Sequence, residues 1–467
     1  MDNLGKGKNA KQCCGDDPCM LYLPTLCVEP FKPVVFNTHK VGELKRVISP
    51  PYDVISQVKR KYYAERHPCN IIHVLLPGPL NNAHVNYCKG NYEMARELLD
   101  NWFQRDILVE LPSPSMFPYV QEFINNAGQR VVHRNVIVNV QLRDYSANVV
   151  RPHEVTMSAP KEDRLQLLRA TQLEMSQVYA LFSDPERMVD ELLNDAIKSR
   201  QPWLAVEDEE GVHHRIWRID DEGWINSMQT ILRDKWLLIA DGHHRYETAI
   251  AHLRERWRKL QPLPTSAPAC YISMALANMY GQVTILPTHR ILIFDSIATR
   301  EKWQRTLFGL FDERKVTVAD EGDLIKWFES TVTRYEDGDG DFVTFAIASS
   351  DGIFQLRIAH AELSKQCKDQ PHPLVERGIN TVVLHEVILP VVNELAGIDD
   401  GYAIRYTHCT AEAVRLVTRN LKALAILLRP LTTAQLRTVA ELKLRLPPKS
   451  TYFYPKPPAG LIMRRLS

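Results

Sequence analysis

Apolar residues recur along this chain with two periods, and the change from one to the other marks its elements. Within residues 91–104, Met94, Ala95, Leu98, Leu99, Trp102 and Phe103 fall at helical spacing and predict an amphipathic helix whose role is packing. The runs FPYVQEFIN and RVVHRNVIVNVQLRDY are β-rich, and Asn125-Asn126-Ala127-Gly128 between them reads as a hairpin turn. Next, NVVRPHEVTMSAPKEDRLQLLRATQLEM passes from strand into a polar loop at Arg151–Glu154 and then into a helix from about Lys161, with Leu165, Leu168 and Leu173 on one side. Strand is expected over 202–218 and helix over 223–233. KWLLIADGHHRYETAIAHLRERW then gives four apolar residues, a glycine turn, and Ile250 and Leu253 at helical spacing, which is strand–turn–helix.

Further on, YISMALAN and QVTILPTHRILIF predict another β-rich pair. Helix is expected over 301–311, strand over 342–349, and helices near 380–396, 410–420 and 432–442. Before all of these, residues 1–28 read as a flexible leader. CVEPFKPVVFNTHKVGELKRVISPPYDVIS follows as short strand pieces closed by the rigid Pro50-Pro51 turn. The alternation predicts a mixed α/β protein, divided into a leader (1–28), an N-terminal α/β region (29–150), a catalytic region (151–298) and a C-terminal α/β region (299–467).

Composition narrows the classes. Of 467 residues, 45% are hydrophobic and 24% charged, ordinary values for a globular protein large enough for two or three cores. Lys and Arg total 57 against 56 for Asp and Glu, so no overall field holds the chain on nucleic acid or an anionic membrane, and any anion must be gripped locally. Nine cysteines, odd in number and mostly scattered, argue for a reducing compartment. CCGDDPC lacks the second pair or nearby histidines of a zinc site. No apolar run approaches the roughly 18–20 residues of a membrane span, and the N-terminus has no secretory core, so a cytoplasmic protein is expected.

The candidate chemistry lies in four clusters. There is neither a Walker A loop nor a GxGxxG after a strand, so phosphate has to be held another way. The turn Ala240-Asp241-Gly242-His243-His244-Arg245 offers one, since the first turn of a helix leaves N–H donors unpaired and its dipole favours anions. Gly242 lets the backbone come close, His243, His244 and Arg245 add donors, and Asp241 is a candidate ligand for a divalent cation or, equally, a helix cap. In the second cluster, Arg151, His153 and Glu154 set a carboxylate beside two cationic types, making Glu154 a candidate general base or simply a solvated loop residue. The third, Lys449, Ser450, Thr451 and Lys456, presents amines and hydroxyls on a proline-stiffened chain that could also be a tail lying over the core. Thr288, His289 and Arg290 form a fourth possible anion contact or a surface turn. EDGDGDF resembles a calcium loop, but the twelfth position from Asp337 is Ala348 rather than glutamate, which favours a hairpin turn.

The words ISPPYDVIS, RPHEVTMSAPKEDR, ADGHHRYETA, ILPTHR and LPPKSTYFYPKPPAGL, in that order, resemble domain-of-unknown-function family 1015. ADGHHRYETA is the most specific of them, whereas ALANMYGQV departs from the family's usual glycine-containing acidic turn. The same Asp-Gly-His-His-Arg turn resembles the second box of ParB-like and sulfiredoxin-like folds, and free serine kinases of that superfamily carry a Pro-His-Glu loop. The resemblance implies a ParB/sulfiredoxin-like core with a mixed sheet and transfer of a phosphoryl group from pyrophosphate, or a nucleotide, to free serine. It further implies Glu154 as base, Asp241 to Arg245 as the phosphate and Mg2+ turn, and small-molecule partners only. The rival expectation is a ParB-like nucleotide-binding switch without turnover.

Overall fold

The computed structural model describes residues 17–80, 89–125, 128–154, 158–198, 200–260, 263–318, 321–328, 330, 342–359, 378–398 and 401–466. Cys13, Cys14, the centre of the hairpin at 126–127 and most of EDGDGDF lie outside these residues. The chain divides into two compact units. The first comprises residues 1–152, 156–283 and 455–467, and the second comprises 153–155 and 284–454.

The first unit is built on a nine-stranded mixed sheet. From one edge the order is Val150–Arg151, Leu237–Asp241, Val178–Phe182, Tyr271–Asn278, Arg130–Gln141, Phe117–Ile124, His213–Ile216 and Leu204–Glu207, with Val28–Glu29 also pairing with Arg130–Gln141. Most neighbours are antiparallel, while Leu237–Leu238 runs parallel to Val150–Arg151 and Met274–Asn278 parallel to Val178–Phe182. Val136, Val138 and Val140 fall at the strand period and point into one core, with Ile272, Met274 and Leu276 from the next strand. Helices cover that face with residues at helical spacing: Ile225, Met228 and Leu232 from Glu222–Leu232, and Tyr246, Ala249, Ile250 and Leu253 from His243–Lys259.

Polar side chains from other parts of the unit fasten the C-terminal segment: Gln121 in strand Phe117–Ile124, Gln177 just before Val178–Phe182, and Glu174. The Gln121 amide donates to the Pro455 carbonyl (3.2 Å) and the Gln177 amide to that of Ile462 (2.7 Å). Arg464 pairs bidentately with Glu174, at 2.7 and 2.8 Å. Lys456 is thereby delivered to the end of strand Leu237–Asp241.

In the second unit, six strands pair antiparallel in the order Asp312–Val316, Gly352–Ala359, Phe342–Ser349, Ala423–Leu427, His289–Phe294 and Tyr402–Thr407. Strict alternation feeds a core on each face: Leu292, Phe294, Leu424 and Ile426 enter one, while Ile291, Ala423, Ala425 and Leu427 enter the other. The helix at 380–396 is interrupted by a π-turn at Leu384–Ile388 that contains His385.

The structure corrects two of the expected boundaries. Residues 17–28 are not all leader, because Met20 and Leu21 in the short helix Cys19–Tyr22, together with Leu26, are buried in the first core. A short apolar cluster without periodicity carries no local sign that it will dock. No division falls at 150/151 either, since Arg130–Gln141 and Tyr271–Asn278 are neighbours in one sheet. Leu21→Ala should therefore destabilise the protein by about 2–5 kcal/mol, the range for emptying a buried leucine site, as read by chemical denaturation.

Candidate active site

The strand Leu237–Asp241 reaches the site through a bulge. Its register against Val178–Phe182 shifts between Ile239 and Asp241, which turns the last residue out of the regular pleat. Gly242 follows at φ +92°, in the left-handed region, and helix His243–Lys259 begins at once, with the Tyr246 amide bonded to the Gly242 carbonyl at 3.0 Å. A Cβ on Gly242 would lie 2.8–2.9 Å from the Arg245 guanidinium. The turn thus needs glycine both for its backbone and for the side chain stacked on it.

Around this turn, four charged side chains from three remote segments close on one another. The Arg245 guanidinium donates to Asp241 Oδ2 (2.6 Å) and to Ser176 Oγ (2.9 Å), and also to the Gln177 carbonyl. Lys456 Nζ donates to Asp241 Oδ1 and, at 2.6 Å, to Asp53 Oδ2. Burial alone would pull the Lys456 ammonium down, but the charges of Asp241 and Asp53 outweigh it and hold its pKa well above the ordinary lysine value. Beside this group, Tyr52 is pushed up to about 12, chiefly by burial, with the Arg164 guanidinium 4.4 Å from its ring centre.

Two carboxylates against two cations leave this group of four without net charge, so an anion here would meet helix N–H groups and the dipole rather than a net positive field. The Mg2+ expected at Asp241 does not fit this arrangement. Both Asp241 oxygens already accept from cations, and among the described residues no group of three or more His, Cys, Asp or Glu side chains gathers to hold a metal.

Glu154 belongs to the second unit, where its backbone makes a parallel bridge to Leu446. Its Oε1 accepts from the Ser450 amide (3.0 Å), the Thr451 amide (3.2 Å) and Thr451 Oγ1 (3.2 Å). His153 is fully buried, with Nε2 2.7 Å from Thr451 Oγ1.

Several expected anion contacts have other work. His289 is fully buried, its Nε2 bonded to Thr410 Oγ1 (3.0 Å) and its Nδ1 accepting from the Leu428 amide (3.2 Å). Arg290 is equally buried, donating to His385 Nε2 (3.1 Å) and to the carbonyls of Thr288 and Pro448. Burial pulls its pKa down to about 10 against the opposing charges of Tyr406 and Glu154. Thr288 is buried as well. Thr-His-Arg after a β-rich run looks like a surface turn, yet here His289 and Arg290 open a strand paired on both sides. Arg151 lies in the first unit, bonded to the Asn148 carbonyl (3.1 Å) and 4.4 Å over the Trp236 ring. Of the third cluster, Lys449, Ser450 and Thr451 fall in the second unit and Lys456 in the first, so one word of sequence serves two sites. His243 is buried and His244 half-buried at the start of the helix.

Sequence reasoning missed Asp53, Ser176 and His385. Asp53 had a signal, as a lone acid fixed by the Pro50-Pro51 turn within ISPPYDVIS, whereas Ser176 and His385 had none.

The family described as Protein of unknown function (DUF1015) matches residues 28–364, more than half of the chain. The chain belongs to that family. The matched stretch of this DUF1015 protein carries Asp53, Glu154 and the Asp241–Arg245 turn, and ends before Lys449–Lys456. No curated protein matches it. Among solved structures it is similar to a conserved hypothetical protein from Pyrococcus furiosus at 12% identity and TM-score 0.32, covering 71% of this chain and 95% of that one. It is also similar to a free serine kinase in complex with AMP (11%, TM-score 0.32, 68% and 86% covered). A third likeness is to SbnI with a C-terminal truncation from Staphylococcus aureus (8%, TM-score 0.32, 70% and 81%). At that TM-score the likenesses establish neither fold nor function.

Gly242→Ala should destabilise the protein by at least about 1 kcal/mol, since it forces a Cβ into a left-handed position and against a guanidinium, measurable by urea denaturation. Three buried histidines also set a pH dependence. Burial pulls His289 down to about 3 from 6.5, and His133 and His385 down to about 4. Unfolded histidines take up protons where these do not. Stability is thus full above about pH 6.5 and falls as acid is added toward pH 4, by at most about 1.4 kcal/mol per pH unit per histidine; denaturation midpoints at pH 7.5, 6 and 5 should decline in that order.

Proposed function

We propose that this DUF1015 protein is a phosphotransferase that moves a phosphoryl group from pyrophosphate, or a nucleotide, to the hydroxyl of free serine. The observation that carries the reading is the bulged strand, left-handed Gly242 and immediate helix start at Asp241–Arg245, a geometry that offers backbone N–H donors to a phosphate. The acceptor comes from the resemblance of the Pro-His-Glu loop and the ADGHHRYETA word to free serine kinases.

In this reading the donor's terminal phosphate takes the N–H groups of the first helical turn, with His243, His244 and Arg245 assigned to its oxygens and Lys456 to the leaving phosphate. Glu154 accepts the serine hydroxyl proton as the Oγ–P bond forms and the P–O bond to the leaving group breaks. Phosphoryl transfer asks the protein mainly for positioning and charge placement. No step is assigned to a metal on Asp241, whose part is to hold Arg245 and Lys456 in place.

The test is a donor-by-acceptor assay. Purified protein is given serine with pyrophosphate, ADP or ATP, each with Mg2+ and with a chelator, and O-phosphoserine is measured. Product is expected from one donor class, and Glu154→Gln should cut turnover roughly 10²- to 10⁴-fold, the usual worth of a general base, with little change in serine binding. Donor binding without product from any acceptor would favour a nucleotide-binding switch instead, and unreduced turnover in Glu154→Gln would remove that residue from the chemistry.

A further inference from the structure

We propose that residues 446–451 form a carboxylate cradle that fixes Glu154 Oε1 and leaves Oε2 to take the proton, with Thr451, His153 and Lys449 as positioning residues. The role of the fixed oxygen's partner rests on the base function proposed for Glu154; the cradle itself does not.

Three donors converge on one oxygen: the amides of Ser450 and Thr451 and the Thr451 hydroxyl, at 3.0, 3.2 and 3.2 Å. Consecutive amides can aim at one point because Lys449 stands at φ +58°, in the left-handed region, so that the loop makes an anion-binding nest. Ser450 Oγ closes the turn by donating to the Pro447 carbonyl at 2.7 Å. Arg290 reaches the Pro448 carbonyl from the adjoining strand, and the Leu446 amide donates to the His153 carbonyl at 2.7 Å. The nest is therefore tied to both chain segments it joins.

The hydrogen bonds also fix a proton order. Thr451 has one hydroxyl proton, and it goes to Glu154. The oxygen of Thr451 must then accept from His153, whose Nε2 lies 2.7 Å away, so His153 carries its proton on Nε2. Behind the carboxylate, His153 is 0% and Ser450 2% exposed, whereas the Glu154 side chain keeps 18% exposure. Oε1 is the oxygen the three donors hold, which leaves Oε2 for the proton.

This arrangement reassigns Ser450 and Thr451 from phosphate contacts. Their donors are already taken by a carboxylate, and a second anion would meet Glu154's own charge. The sequence shows them as loose donors only because their acceptor lies almost 300 positions earlier, at Glu154.

Amide hydrogen exchange at positions 450 and 451, and turnover to O-phosphoserine, test the cradle on the full chain. Glu154→Ala and Thr451→Val should each speed exchange at these amides by roughly ten-fold or more, the scale of losing a charge-assisted hydrogen bond, while Thr451→Ser and Lys449→Gly leave it near wild type. Unchanged exchange in Glu154→Ala overturns the cradle whatever the turnover. Thr451→Val should lower kcat roughly 10- to 100-fold, the cost of a misplaced reacting group, with KM for serine unchanged and with recovery in Thr451→Ser. Full kcat in a folded Thr451→Val protein overturns the positioning role. If the wild-type protein makes no phosphoserine with any donor, the base function falls, and the exchange result decides the cradle separately.

Discussion

Asp241 is held on both oxygens, by Arg245 in the first turn of the helix that follows it and by Lys456 from near the end of the chain, and the first unit is organised so that this can happen. Lys456 arrives because Gln121, Gln177 and Glu174 hold the C-terminal segment across the sheet. Arg245 is aimed because Ser176 and the Gln177 carbonyl take its other side. Removing one member of such a buried pair strands its partner's charge, which typically costs about 3–5 kcal/mol. The interaction matters less for the energy it adds than for fixing the direction of every charged group at the helix start.

Charge neutrality follows from that pairing and shapes the chemistry available. With Asp53 and Asp241 matched by Lys456 and Arg245, the turn is a prearranged polar surface rather than a cationic sink. An anion at such a helix start would be selected by its fit to the N–H groups rather than by field alone. Glu154 is restrained in the same way: three donors on one oxygen hold the carboxylate in one orientation.

The corrected residues share a physical cause. Thr288, His289 and Arg290 look available because their polar types are usually exposed, but strand His289–Phe294 lies inside a sheet with neighbours on both sides and cores on both faces. Burial leaves polar atoms to find partners within the protein: Thr410 and Leu428 serve His289, and His385 and Pro448 serve Arg290, while the Thr288 hydroxyl is buried without one among the described residues. Leu21 is the opposite case, a residue of a short apolar cluster whose burial depends on surface contributed from far along the chain.

Local sequence pattern was enough to set out the elements and the glycine turn at Asp241–Arg245. Helical spacing at 91–104, strand alternation at 130–141 and the strand–glycine–helix word at 237–253 are written in residues a few positions apart, where periodicity and backbone preference act. The partners come from the fold: Lys456 for Asp241, Thr451 for Glu154, His385 for Arg290. Those choices join positions hundreds of residues apart, and a side chain's type states how many bonds it can make but not which distant group the fold will set before it.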